Sequence, residues 1–204
     1  MIRATLAHRW FPALWAVAMM GLPLTSTAAL AQKFNVTPLA EKKVAQLPSG
    51  PWFWRIENFP TLAQATAAAG PTALAAQAAG KAWLFTLGPP GGSSPGGSKV
   101  AEVGPVPSIS APEYLLRVNR AGGPPGVKTP VHVHPGSETF YVLTGQLTQK
   151  TPDGTHRVSA GQSMLGHPPE TPMQVSNSGS GELTALVMFV ADATKPFSSP
   201  ATMP

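Results

Sequence analysis

A regular succession of short strand-like segments between Tyr114 and Val190 is the feature that most constrains the fold. Apolar and polar residues alternate in EYLLRVNRA and in the segments after it, and turn residues separate these segments. Alternation with a period of two is typical of a strand with one buried face. Short strands recurring about every ten residues predict an all-β sandwich or small barrel. Leu183 to Val190 is almost continuously apolar, which predicts a strand buried on both faces.

The part of the chain before these strands has a mixed pattern. The segments PWFWRIENF and KAWLFTL place large apolar residues at alternate positions, so each predicts a strand. Between them, the alanine-rich segment from Thr61 to Gly80 predicts a short helical hairpin. Thr61 would cap its first helix and Gly70 would end it, and the second would run from Pro71 to Gly80. Residues 88–107 are rich in Gly and Pro and predict a loop.

The first thirty-one residues resemble an export signal. Arg3 and Arg9 give a basic start, an apolar stretch follows, and Ala29 and Ala31 form a cleavage site of small residues. The stretch is shorter than the roughly twenty residues of a membrane span. We therefore expect a cleaved signal and a periplasmic or secreted protein without a membrane segment, and a retained anchor is the alternative.

The resulting organisation is a signal peptide (1–31), an N-terminal arm with edge strands, helical hairpin and loop (32–107), a β-domain (108–192) and a C-terminal tail (193–204). The chain has no cysteine, so no disulfide is expected. Its formal net charge of +5 falls to +3 without the two signal arginines. No basic run is present, so we expect no nucleic-acid partner. A homodimer remains open.

The segment VHVHPGSETFYVLTG contains the strongest functional signal. His132 and His134 are two apart in an extended segment, so their side chains project to the same face. After a Pro-Gly turn, Glu138 begins the next strand beside them. Two imidazoles and one carboxylate form the ligand set that holds Fe(II) and related ions with open positions. Solvated polar residues around a surface turn are the alternative, but Glu138 shares its face with Phe140 and Val142, where a carboxylate needs a partner.

These residues resemble the first motif of the cupin superfamily, in which G, five residues, HxH, three residues, E, six residues and G follow one another. Gly126, His132, His134, Glu138 and Gly145 fit every spacing. The resemblance extends over residues 114–192. The resemblance implies a jelly-roll β-barrel of the cupin type, with a divalent metal held inside by the motif residues. The short helical N-terminal segment is predicted separately, from the alanine-rich residues.

The second cupin motif is only partly present. It usually reads G, several residues, PxGxxH, three residues and N; here Gly161, Pro168 and Asn177 align. The histidine that usually supplies a fourth ligand is Met173. Met173 could pack beside a three-ligand site, could be a soft thioether ligand that favours copper, or could mark a degenerate site. The metal could thus be Fe, Mn, Zn, Ni or Cu.

Other residues near the second motif leave their roles open. His167 could be a substitute ligand, a proton-transfer group or a rim residue. Arg117, if it faces inward, would suit a carboxylate substrate. The resemblance implies a metal-dependent enzyme acting on a small organic molecule, of the oxygenase or isomerase type, with a leaning to a dioxygenase-like oxidoreductase. The alternative is a non-catalytic periplasmic protein that binds a small ligand or a metal. The sequence identifies no catalytic acid or base.

Overall fold

Strands account for most of the architecture of this computed structural model, which describes Met1 and residues 32–204. The predicted signal peptide lies outside these residues except for Met1. In chain order the elements are Asn35–Val44 (β1), Phe53–Phe59 (β2), Leu62–Ala68 (α1), Ala73–Ala78 (β3), Lys81–Gly88 (β4), Ser98–Val103 (β5), Tyr114–Gly123 (β6), His132–Val133 (β7), Gly136–Thr144 (β8), Gln146–Thr151 (β9), Gly154–Ser159 (β10), Ser163–Met164 (β11), Gln174–Asn177 (β12), Leu183–Asp192 (β13) and Ser199–Pro200 (β14). In the described part of the chain, no helix is long and apolar enough to cross a membrane.

Antiparallel sheets form the jelly roll that the sequence predicts. A five-stranded sheet has the order β1-β6-β13-β8-β11, and a three-stranded sheet has the order β10-β9-β12. The chain passes from one to the other at Gly145, whose positive φ of 77° suits glycine. Apolar side chains from both sheets meet in one core; they are Ala121, Phe140, Val142, Leu147, Val158, Val175, Leu183, Ala185, Val187 and Phe189. The all-β fold class is therefore confirmed.

A second layer covers the outer face of the five-stranded sheet. The four-stranded sheet β3-β4-β2-β5 places Trp54, Trp83 and Phe85 against Leu186 and Met188 of β13 in a second core. Strand β13 is consequently buried on both faces, as its continuous apolar run predicts. Each large side chain buried in this way contributes about 1.5–3 kcal/mol.

Residues 32–107 pack against the β-domain. Strand β1 pairs with β6 as an edge strand of the five-stranded sheet, and Pro38 is accommodated beside an irregularity in that pairing. The four-stranded sheet shares its core with β6, β8 and β13. Residues 32–204 therefore form one compact unit.

The prediction of a second helix in the hairpin is wrong. Thr61 caps α1 as expected, with its side chain accepting a hydrogen bond from the Gln64 N–H. The residues after Gly70 instead form β3, which pairs with β4 through a two-residue turn at Ala79 and Gly80. Both turn residues have positive φ, as in a type I′ hairpin. Alanine is compatible with a helix or a strand. Pairing with the strongly apolar β4 favours the strand.

The predicted loop and tail also contain strands. Within residues 88–107, β5 pairs with the open edge of β2, so only the Gly- and Pro-rich flanks are loops. Residues 193–204 return to the barrel, where β14 pairs with β7. We call this segment the C-terminal strap. Hydrogen bonds to distant strands define both elements, and local composition does not reveal them.

Candidate metal centre and cavity

Both motif histidines are held through Nδ1. The Nδ1 of His134 lies 2.6 Å from the carbonyl oxygen of Phe197, and the Nδ1 of His132 lies 2.9 Å from that of Pro130. A carbonyl only accepts, so each Nδ1 carries the proton and each Nε2 keeps a free lone pair. This is the arrangement in which protein histidines ligate metals through Nε2.

A glycine between the two ligand strands brings His134 and Glu138 together. A side chain at Gly136 would place its Cβ 2.0 Å from the carbonyl oxygen of Val190 on β13. Only glycine allows the turn to pass this close to the neighbouring strand. As a result, Oε2 of Glu138 lies 3.9 Å from Nε2 of His134.

Burial determines the protonation of this pair. Burial raises the pKa of Glu138 to about 8, although a hydrogen bond from Gln149 opposes the shift. Burial likewise lowers the pKa of His134 to about 4; the hydrogen bond to Phe197 opposes this shift, while nearby His132 and Arg117 reinforce it. The imidazole is therefore neutral, as a metal ligand must be. Among the described residues no cation lies within hydrogen-bonding distance of the Glu138 carboxyl group, so burial favours its neutral form.

All three predicted ligands line one cavity of about 400 Å³. The rings of His132 and His134 are 5.0 Å apart and nearly perpendicular. Within residues 32–204, however, no three His, Cys, Asp or Glu side chains already form a metal-binding group. The structure thus brings His134 and Glu138 together and leaves His132 beside them on the cavity wall. By donor chemistry, two free Nε2 atoms and an uncompensated carboxyl group fit a divalent metal.

Gln149 is a site residue that the sequence interpretation missed. It is fully buried on β9, where it shares the inward face with Leu147. Its Nε2 donates to Oε1 of Glu138 and lies 3.4 Å from the sulfur of Met173. Its Oε1 lies 3.0 Å from Nε2 of His167. The available signal was parity, because a polar residue on the inward face of a strand needs a partner.

Met173 and His167 both contact Gln149, the residue that donates to Glu138. Met173 is buried, bridges His132 through reciprocal backbone hydrogen bonds and is not among the residues that line the cavity. His167 reaches Glu138 only through Gln149. Burial, reinforced by the nearby His156, lowers the pKa of His167, and Asp153 opposes the shift. These positions fit a packing role for Met173. They fit a role for His167 in holding the Gln149 amide that contacts Glu138.

Two rows of inward-facing residues form one cavity wall. Strand pairing places Arg117, Phe189 and Glu138 side by side across β6, β13 and β8, and Phe189 and Glu138 of this row line the cavity. The next row contains Asn119, Val187 and Phe140. The C-terminal strap contributes Phe197, whose ring packs on those of His134 and Phe189 at 4.8 and 4.9 Å. The cavity is therefore bounded by aromatic rings next to the three candidate ligands.

Comparison with known proteins assigns the domain to a family. Residues 123–189 match the family model described as a cupin domain, and this range contains the complete HxH motif together with β8 to β12 and most of β13. The chain therefore contains a domain of the cupin superfamily, as the first motif predicts. No curated protein matches the chain.

Solved structures overlap with part of the chain. A cupin-like protein from Thermotoga maritima is 17% identical, with 43% of this chain and 65% of that chain covered and a TM-score of 0.39. A DMSP lyase structure is 19% identical over 43% of this chain and 44% of that one, with a TM-score of 0.38. An oxalate decarboxylase from Lactobacillus farciminis is 19% identical over 42% and 26%, with a TM-score of 0.37. The chain thus spans less than two thirds of the length of each of these proteins.

Proposed function

We propose that this protein holds a divalent metal through His132, His134 and Glu138 and acts as an enzyme, of the oxygenase or isomerase type, on a small organic molecule in the adjoining cavity. The observation that carries the proposal is the buried Glu138 carboxyl group. It faces the free Nε2 of His134 across 3.9 Å and has no cationic partner within hydrogen-bonding distance among the described residues.

The chain's own residues prepare such a site. Backbone carbonyls orient both imidazoles, Gln149 fixes the carboxyl group, and Phe197 adds an aromatic ring to the cavity wall. A bound metal would supply Lewis acidity or redox chemistry at this end of the cavity. The fixed ligands and the low-polarity wall would hold a substrate close to it.

Metal analysis tests the proposal. Untagged wild-type protein should contain about one equivalent of a first-row metal by elemental analysis, as purified or after reconstitution. The double variant His132→Ala/His134→Ala should lose it, whereas His156→Ala, which removes an exposed histidine, should not. A wild-type protein that remains free of metal after reconstitution would contradict the proposal.

A non-catalytic binding protein is the second candidate. The observation that favours it concerns the cavity wall, where the described residues include no acid or base besides the three candidate ligands. A screen of metal-loaded protein for oxygen uptake and for isomerisation of small organic molecules separates the two candidates. Turnover that disappears in the double histidine variant supports the enzyme, and ligand binding without turnover supports the binding protein.

We further propose that residues 1–31 direct export and are then removed. The support is the basic, apolar and small-residue pattern of this segment. Amino-terminal sequencing of protein from the periplasmic fraction should begin near Gln32. Protein that keeps residues 1–31 and sediments with membranes would instead identify a retained anchor.

A further inference from the structure

We infer that the cavity selects an uncharged, mostly apolar organic molecule that carries one hydrogen-bond acceptor, and that Asn119 receives this acceptor. The inference rests on the proposed function, because it specifies the ligand class of the same cavity. It follows from the wall composition, from the contacts of Arg117 and from the orientation of the Asn119 amide.

Away from the candidate ligands the wall is mostly apolar, and its other polar residues are Asn119, Thr129, Ser198 and Ser199. Phe34, Phe140, Phe189 and Phe197 contribute aromatic rings, and valines fill the space between them. None of the described residues that line the cavity is a lysine or an arginine. A sugar or a polycarboxylate would lose its hydration at such a wall without gaining matching hydrogen bonds.

The Arg117 guanidinium contacts two residues of the wall, Phe197 and Asn119, and is already paired with Glu41. Its Nη1 lies 3.4 Å from a carboxylate oxygen of Glu41, and its guanidinium lies 4.3 Å from the centre of the Phe197 ring. Its Nε donates to Oδ1 of Asn119 over 3.0 Å. The expectation that an inward Arg117 would receive a carboxylate substrate is therefore not supported, although the side chain does lie on the inward face.

This last contact fixes the orientation of the Asn119 amide. Arginine can only donate, so Oδ1 of Asn119 must face Arg117 and Nδ2 must point away from it. Asn119 is 1% exposed and lines the cavity, and no partner for its Nδ2 is found among residues 32–204. An acceptor on a ligand in the cavity would pair with this donor, whereas an apolar group placed against it would leave it unsatisfied.

The sheet geometry places this donor opposite the candidate ligands. Asn119 lies on β6 and Glu138 on β8, with β13 between them. Two strand spacings separate these residues by roughly 10 Å across the sheet. A ligand whose acceptor meets Asn119 would therefore lie over Val187 and Phe189 and direct its apolar end to the histidines.

Three matched probes test the inference. 4-Phenyl-2-butanone carries an uncharged acceptor, 3-phenylpropanoate replaces its methyl group by a charged oxygen, and butylbenzene lacks the acceptor. Binding is measured by NMR titration on the protein as purified and again after metal removal. On the metal-free protein, we expect the ketone to bind at least about tenfold more tightly than the carboxylate.

The variant Asn119→Leu tests the role of the amide. It should weaken ketone binding about three- to tenfold and leave butylbenzene binding unchanged. In the wild type, the ketone should shift the Nδ2 proton signals of Asn119, and butylbenzene should not. This wild-type measurement decides the matter even if the variant does not fold.

Three results would overturn the inference: equal or tighter binding of the carboxylate to the metal-free protein, equal weakening of both neutral probes in Asn119→Leu, or an unshifted Asn119 amide in the presence of the ketone. The outcome is separable from the proposed function. A protein that never takes up metal but keeps its ketone preference contradicts only the proposed function. A protein that takes up metal but shows no ketone preference after the metal is removed contradicts only the inference.

Discussion

Gln149 donates a hydrogen bond from its amide Nε2 to Oε1 of Glu138, and both side chains are buried. This contact links the second sheet of the barrel to the candidate metal ligand on the first. Because Gln149 also contacts Met173 and His167, one amide organises the polar groups behind the cavity. Substitution of Gln149 should therefore affect both the fold and the candidate metal site.

Replacing Gln149 by leucine should destabilise the protein and weaken metal binding. The change leaves Oε1 of Glu138 without its donor, which should cost about 1–3 kcal/mol in the free energy of unfolding. Loss of a group that orients a ligand should lower metal affinity about 10- to 100-fold. Denaturant titration and metal competition measure the two effects. Gln77→Leu, an exposed change on β3, should alter neither; equal behaviour of the two variants would contradict this role.

The thioether of Met173 should not bind the metal. Its sulfur lies 3.4 Å from the Gln149 amide, and the residue is not part of the cavity wall. Met173→Leu conserves volume, so stability should change by less than about 1.5 kcal/mol. Cu(I) affinity, measured by competition with a chromophoric chelator, should stay the same. A strong loss of Cu(I) affinity would identify Met173 as a soft ligand.

Phe197 should anchor the C-terminal strap on the cavity wall. Its carbonyl accepts from His134 and its ring packs on His134 and Phe189. Phe197→Ala should lower the free energy of unfolding by about 1–3 kcal/mol, less than for a fully buried phenylalanine. It should also accelerate hydrogen exchange in β7, which pairs with the strap. Thr202→Ala, an exposed change in the same segment, should affect neither measurement.

The buried Glu57 should make stability depend on pH. Burial alone would raise its pKa, but hydrogen bonds from Ser94 and Arg55 outweigh this effect and hold the pKa below its ordinary value. A lowered folded-state pKa gives stability that is present above the unfolded-state value of about 4.3 and is lost as pH falls through the folded-state value. Glu57→Gln should therefore be less stable than wild type at pH 7, by about 1–3 kcal/mol.

Denaturant titration between pH 7 and pH 3 measures this effect. The difference between wild type and Glu57→Gln should shrink as the pH falls below the unfolded-state value of about 4.3 towards the lower folded-state pKa. Glu182→Gln alters an exposed carboxylate and should show almost no difference from wild type at pH 7. A difference for Glu57→Gln that stays constant with pH would contradict the ionised role.

The turn between β3 and β4 should depend on the glycine at position 80. Gly80 has a φ of 73°, and its surroundings are open, so a Cβ meets only backbone strain. Gly80→Ala should cost about 1–2 kcal/mol in the free energy of unfolding. Gly70→Ala, at a glycine without positive φ and with open space, should cost little. A stability of Gly80→Ala equal to that of Gly70→Ala would contradict the left-handed turn between β3 and β4.

Several features could be predicted from the sequence because they depend on local periodicity. Alternation of two residues predicts β2, β4 and β6, and the continuous apolar run predicts a doubly buried β13. Strand parity also indicates that His132, His134 and Glu138 share one face, and all three line the cavity. In these cases the side-chain direction follows from the backbone repeat alone.

Other strands, and the partners of the buried polar residues, were decided only by the tertiary structure. Alanine-rich residues 73–78 became a strand because β4 offered an edge, and β5 and the C-terminal strap formed by pairing with distant strands. Gln149 received its role from partners on other strands, and Arg117 received its role from Glu41 on β1 and from Phe197 in the C-terminal strap. The sequence alone thus determined which residues face the barrel interior, because that depends on a period of two. Their partners depend on the register between strands far apart in the chain, which only the folded sheets define.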